Sequence, residues 1–136
     1  SIWDRPIYFS STTNAGNSLG LGPYLVREGL AFRLSEGPPE MRADPGVSAL
    51  ELSRLTPVVG RWMRTDRTEA LATEVFEHRS GIPDEWAFWP DRATLGIPNY
   101  YSWVYLSLAQ AALQNADEEA LQTWQDRAEA WSRLGN

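Results

Sequence analysis

The sequence contains no cysteine, no lysine and a single histidine, His78. Without Cys there is no disulfide framework, no thiol nucleophile and no thiolate metal site. One imidazole also excludes a zinc site built mainly from histidines. The twelve arginines are scattered, and the formal net charge is −6. Because phosphate binding requires clustered positive charge, we expect no nucleic-acid partner. We also expect no metal and no cofactor.

Long apolar runs are also missing. No stretch approaches the roughly 18 residues that a membrane-spanning helix requires, and no signal-peptide pattern is present, so we expect no membrane insertion by this chain itself. It begins with Ser1 rather than Met, which leads us to expect a piece of a larger protein with any membrane segment upstream. The length of 136 residues and the 43% hydrophobic content predict a single globular domain over 1–136.

The first 34 residues predict two strands and a short helix. Residues 6–12 are rich in β-formers, and residues 30–34 alternate apolar and polar side chains. Residues 14–22 are rich in Gly and Asn, which predicts a loop. Residues 24–28 follow a proline and precede a glycine, which predicts a short helix. We therefore expect a small βαβ-like unit over 1–34.

The middle of the chain contains several prolines and glycines, which interrupt regular secondary structure. Residues 35–46 predict an exposed connector. Short helices are expected over 47–54 and 58–63, and a clearer one over 66–79. Residues 82–99 combine aromatic side chains with prolines, which predicts an ordered loop or short turns.

Residues 100–134 predict a helical hairpin. Its first helix, 100–114, is apolar almost all round, as expected for a helix between two neighbours. Residues 115–118 match a capping box. The second helix has an apolar face formed by Ala120, Leu121, Trp124, Ala128 and Trp131.

The hairpin partly matches a tetratricopeptide unit. Trp103, Leu106 and Ser107 fit the first half of that repeat, and Ala120 with Trp124 fits the second. An ordinary helical hairpin is the alternative. The predicted fold class is α+β, with the βαβ-like unit packed on a mostly helical body over 47–136 that ends in this tetratricopeptide-like hairpin.

Catalytic patterns are weak. Asp84 and Glu85 lie beside two tryptophans and suggest a glycosidase pair, but adjacent acids usually point in different directions. There is no Gly-x-Ser-x-Gly elbow, and the Gly20-Leu-Gly22 stretch lacks the Lys of a phosphate loop. His78 is expected to be a surface group near a helix end. We therefore predict no catalytic residue.

The aromatic segment after residue 82 supports two interpretations. Its rings fill the space between the loop and the hairpin, or some stay exposed and bind a glycan, a peptide or another part of the protein. Arg5 and Arg33 are either polar anchors of such a surface or structural partners of Glu28. The candidate binding surface comprises Trp86, Trp89, Tyr100, Tyr101, Arg5 and Arg33.

Three blocks near the N-terminus carry a family resemblance. They are Trp3-Asp-Arg-Pro-Ile-Tyr-Phe9, Leu19-Gly-Leu-Gly-Pro-Tyr-Leu25 and Glu28-Gly-Leu-Ala-Phe-Arg-Leu34. In this order and spacing they resemble the soluble C-terminal region of bacterial protein O-mannosyltransferase-like membrane glycosyltransferases, a family that also tends to carry a tetratricopeptide-like hairpin.

The resemblance implies that sugar transfer takes place in a membrane portion of the parent protein, which is absent from this sequence. This region is then a non-catalytic accessory domain on the extracytoplasmic side of a bacterial membrane. Its partners would be that membrane portion and a protein or glycan acceptor. The alternatives are a stand-alone helical protein-interaction module and a small glycan-active enzyme that uses Asp84 and Glu85.

Overall fold

The computed structural model describes residues 4–13, 15–37, 46–50, 62–78 and 81–135. The strands are β1 (Tyr8–Ser10), β2 (Leu25–Glu28), β3 (Ala31–Leu34), β4 (Val47–Ala49) and β5 (Trp62–Arg64). The helices are α1 (Ala15–Ser18), α2 (Thr65–Ala70), α3 (Ile97–Gln114) and α4 (Glu118–Leu134). A π-helical turn, Leu71–Val75, continues α2, and 3₁₀ turns cover Gly22–Tyr24 and Arg92–Thr94. The predicted α+β class is confirmed.

The strands form one mixed sheet in the order β1-β3-β2-β5-β4. β2 pairs antiparallel with β3 and parallel with β5, so it lies at the centre of the sheet. All four residues of β2 are buried, and a strand covered on both faces does not alternate polar and apolar residues. The helix predicted over 24–28 is wrong, since residues 25–28 form β2. The missing alternation explains why the sequence did not indicate a strand there. The expected strand–helix–strand order is therefore wrong. The observed order is β1-α1-β2-β3, with α1 inside the segment predicted as a loop.

A buried arginine lies at the centre of the sheet. The side chain of Arg27 is fully buried, and its Nη1 donates a hydrogen bond to the Gly29 carbonyl oxygen at 2.7 Å. Its guanidinium lies 4.7 Å from the centre of the Phe32 ring. Burial lowers the pKa of Arg27 to about 10. Arg27 therefore remains charged at neutral pH, and it is held by a carbonyl group and an aromatic ring.

The middle of the chain departs from the prediction where it is described. Residues 47–49 and 62–64 are the strands β4 and β5, so the helices expected there are wrong in those parts, and residues 51–61 lie outside the described part. Pairing between the two strands, with Ser48 opposite Met63, outweighs their local helical pattern. Most of the expected connector, residues 38–45, is also outside the described part. The helix expected over 66–79 is confirmed as far as Val75.

The long hairpin carries the core. α3 lies between the sheet and α4, since its Tyr105 and Leu108 belong to one buried cluster with Met63 of β5 and Trp131 of α4. Two stacked ring pairs join the helices: Tyr101 with Trp131 at 4.5 Å and Tyr105 with Trp124 at 5.8 Å. The prediction that this helix sits between neighbours is confirmed.

Of the two ends of α4, the N-terminal cap differs from the prediction and the C-terminal end agrees with it. Asp117, rather than Asn115, is the N-cap, and its Oδ1 accepts a hydrogen bond from the Ala120 amide at 3.1 Å. Gly135 ends the helix, as expected.

Gly29, in the turn between β2 and β3, provides a test of this packing. Its φ is +62°, and a Cβ atom at this position would lie 2.9 Å from Leu71 Cδ1. We expect Gly29→Ala to lower the free energy of unfolding by about 2 kcal/mol or more, because the left-handed conformation alone costs about 1–2 kcal/mol.

Gly20 is the matched control, since its φ is +75° and a Cβ atom there would meet no other part of the protein within 4 Å. Gly20→Ala should lower the free energy of unfolding only by the cost of a left-handed backbone conformation, about 1–2 kcal/mol. Urea unfolding of both variants checks the prediction, and an equal loss in the two would contradict close packing at Gly29.

Candidate functional site

The rings near the predicted loop surround a cleft of about 320 Å³. Its walls come from the residues after α2, from the turns over 81–94, from the start of α3 and from the end of α4. We call this cleft the aromatic cleft. It is lined by Glu77, His78, Ile82, Trp86, Trp89, Pro90, Asp91, Thr94, Ile97, Tyr101 and Trp131.

The hairpin supplies one wall of the aromatic cleft. The stacked Tyr101 and Trp131 rings are inclined by only 20°, and the His78 imidazole lies 5.0 Å from the Tyr101 ring and 4.8 Å from the Trp131 ring. His78 is therefore packed among rings, and its prediction as a surface group is wrong. Burial, and to a lesser extent the charge of Arg127, lower the pKa of His78.

The two predicted tryptophans also line the aromatic cleft. The rings of Trp86 and Trp89 lie 5.8 Å apart at an angle of 44°. Trp89 Nε1 donates to Thr94 Oγ1 at 3.0 Å, and that hydroxyl donates to Asp91 Oδ2 at 3.0 Å. Asp91 Oδ1 also accepts from the Ala93 amide. Trp89 is thus held in place by the same turn that places a carboxylate at the cleft.

Two arginines of α4 fasten this aromatic segment to the hairpin. Arg133 donates to the Pro83 carbonyl oxygen at 3.1 Å and to the Trp86 carbonyl oxygen at 3.4 Å. Arg127 Nη1 lies 3.2 Å from Asp84 Oδ2. Because both partners of Arg133 are backbone groups, its contacts define the path of the chain that carries Trp86. Neither arginine was predicted to have a role. The carbonyl partners of Arg133 leave no sequence pattern, and Asp84 is 43 residues away from Arg127 along the chain.

Two buried nitrogens of residues that line the cleft have no hydrogen-bond partner among the residues that the structure describes. They are His78 Nε2 and Trp131 Nε1, and Trp131 is only 1% exposed. Leaving such a group unpaired costs about 1–3 kcal/mol. An unpaired group in a native protein therefore calls for an explanation such as a bound water or ligand.

The structure brings together three of the six predicted surface residues: Trp86, Trp89 and Tyr101. Tyr100 does not line the cleft, and its ring packs edge-on against Trp103 at 5.2 Å. Arg33 Nη1 lies 3.8 Å from Glu28 Oε1, which agrees with the ion-pair alternative for Arg33. Arg5 is exposed near β1 and does not line the cleft.

The residues considered for catalysis lie elsewhere. Asp84 is ion-paired with Arg127, Glu85 is exposed, and neither lines the aromatic cleft. The carboxylates of the cleft are instead Glu77 and Asp91. Within the described ranges, no three His, Asp or Glu side chains are grouped closely enough to hold a metal ion.

A second groove of about 430 Å³ lies along the hairpin. It is lined by Ser102, Leu106, Gln125, Ala128, Glu129, Ser132 and Arg133. Its lining contains no aromatic ring, which distinguishes it from the aromatic cleft.

Loss of the Arg133 guanidinium should loosen the segment that carries Trp86. We expect Arg133→Ala to raise amide hydrogen exchange several-fold over residues 83–89, because hydrogen bonds from a charged donor contribute about 1.5–3 kcal/mol when buried and less at an exposed side chain.

Gln125→Ala, a change at another exposed α4 position, is the control. Exchange within α3 should not change in either variant. Unaltered exchange over 83–89 in Arg133→Ala would contradict the anchoring role.

His78 should make stability depend on pH. Its folded-state pKa lies below the ordinary value of about 6.5, so the unfolded chain takes up a proton first as pH falls. The contribution of His78 to the free energy of unfolding is therefore complete above pH ~6.5 and decreases as pH falls through the folded-state pKa.

Chemical unfolding of wild type and His78→Gln between pH 7.5 and 5 measures this contribution. The difference in free energy of unfolding should shift in favour of His78→Gln as the pH is lowered. If the two free energies of unfolding changed in parallel with pH, the imidazole would have the same pKa in the folded and unfolded states.

Comparisons of the chain with protein-family models, curated proteins and solved structures gave no match. None of the helices in the described ranges combines the length and the apolar character needed to cross a bilayer. The aromatic cleft and the sequence blocks near the N-terminus are thus the features that bear on function.

Proposed function

We propose that this chain is a non-catalytic accessory domain of a membrane-embedded glycosyltransferase, and that its aromatic cleft binds an acceptor or a partner. The observation that carries the proposal is the cleft itself, which places Trp86, Trp89 and Tyr101 around one opening. Concave sites lined by aromatic side chains, with a few polar groups, are the usual form of ligand pockets.

The rim of the cleft adds to this support. Ile97, which lines the cleft, is 38% exposed, so a large apolar side chain faces solvent in the same cleft as two half-buried tryptophans. Tryptophan is one of the residue types enriched among the side chains that contribute most of the binding energy of an interface. A domain that binds rather than reacts explains why these side chains remain at the surface.

The assignment to a membrane glycosyltransferase rests on the sequence resemblance. Its three blocks contribute residues to β1, β2 and β3, which are adjoining strands of one sheet. The resemblance therefore concerns a single packed unit rather than unconnected segments. In this proposal the domain lies on the extracytoplasmic side of a bacterial membrane, the membrane portion of the parent supplies the chemistry, and the acceptor is a protein or a glycan.

A second candidate function is supported by the groove along the hairpin. Its lining comes from α3 and α4 and contains both Glu129 and Arg133, so it offers an acidic and a basic side chain to a bound peptide. This favours the helical protein-interaction module, in which a peptide binds and the aromatic cleft remains empty.

The proposal predicts a defect in acceptor use when the cleft is altered in the full-length protein. Replacing both Trp86 and Trp89 by Ala should raise the acceptor KM for transfer from a lipid-linked sugar roughly tenfold or more, because truncating a central aromatic residue of an interface costs about 2 kcal/mol. The KM of the donor should not change, since the donor binds in the membrane portion.

Phe88→Ala is the control, because Phe88 is exposed but does not line the cleft. A gene that encodes no membrane helices ahead of Ser1 would refute the proposal. Turnover by the isolated chain that is abolished by Asp84→Asn or Glu85→Gln would instead favour the glycan-active enzyme.

A further inference from the structure

We draw no further inference here: the strongest candidate, the groove between α3 and α4 lined by Ser102, Leu106 and Ala128 among others, already carries the second candidate function, and nothing among the described residues shows what covers it.

Discussion

The register of α3 against α4 is the constraint on which the rest of the structure depends. The two stacked pairs, Tyr101 with Trp131 and Tyr105 with Trp124, lie one helical turn apart on α3, and each pair contributes about 0.5–1.5 kcal/mol beyond its buried area. Ser102 Oγ adds a hydrogen bond to the Ala128 carbonyl oxygen at 3.0 Å. Together these contacts leave little freedom for one helix to slide along the other.

The position of the cleft follows from this register. It places Arg127 and Arg133 on the side of α4 from which they reach Asp84 and the carbonyl groups of Pro83 and Trp86. The irregular segment is thereby fixed against a rigid hairpin, an arrangement in which loops supply binding residues and a scaffold positions them. The sheet acts from the opposite side of α3, through Met63 and through the 2.7 Å hydrogen bond from Gln114 Nε2 to the Ala49 carbonyl oxygen.

Sequence alone predicted the elements whose local pattern and environment agree. The hairpin was predictable because its apolar residues recur at helical spacing, and the two tryptophans were identified because a polar linker does not carry them. β2 was not predictable, because a strand at the centre of a sheet loses the alternation that marks strands. β4 and β5 were not predictable either, because they depend on pairing between segments distant in sequence. In the cleft, Trp131 was predicted as a core residue and His78 as a surface residue. The contact between these two residues depends on the packing of α4 against the segment that follows α2, which the sequence pattern does not show.

The central claim is that the aromatic cleft is where this domain meets its ligand. NMR of the tryptophan indole N–H groups tests it most directly, since the chain has seven tryptophans and three of them line the cleft. On addition of the protein or glycan acceptor, the account predicts shifts confined to the three cleft residues Trp86, Trp89 and Trp131. Shifts at Trp103 or Trp124 alone, or no shift at any indole, would contradict it.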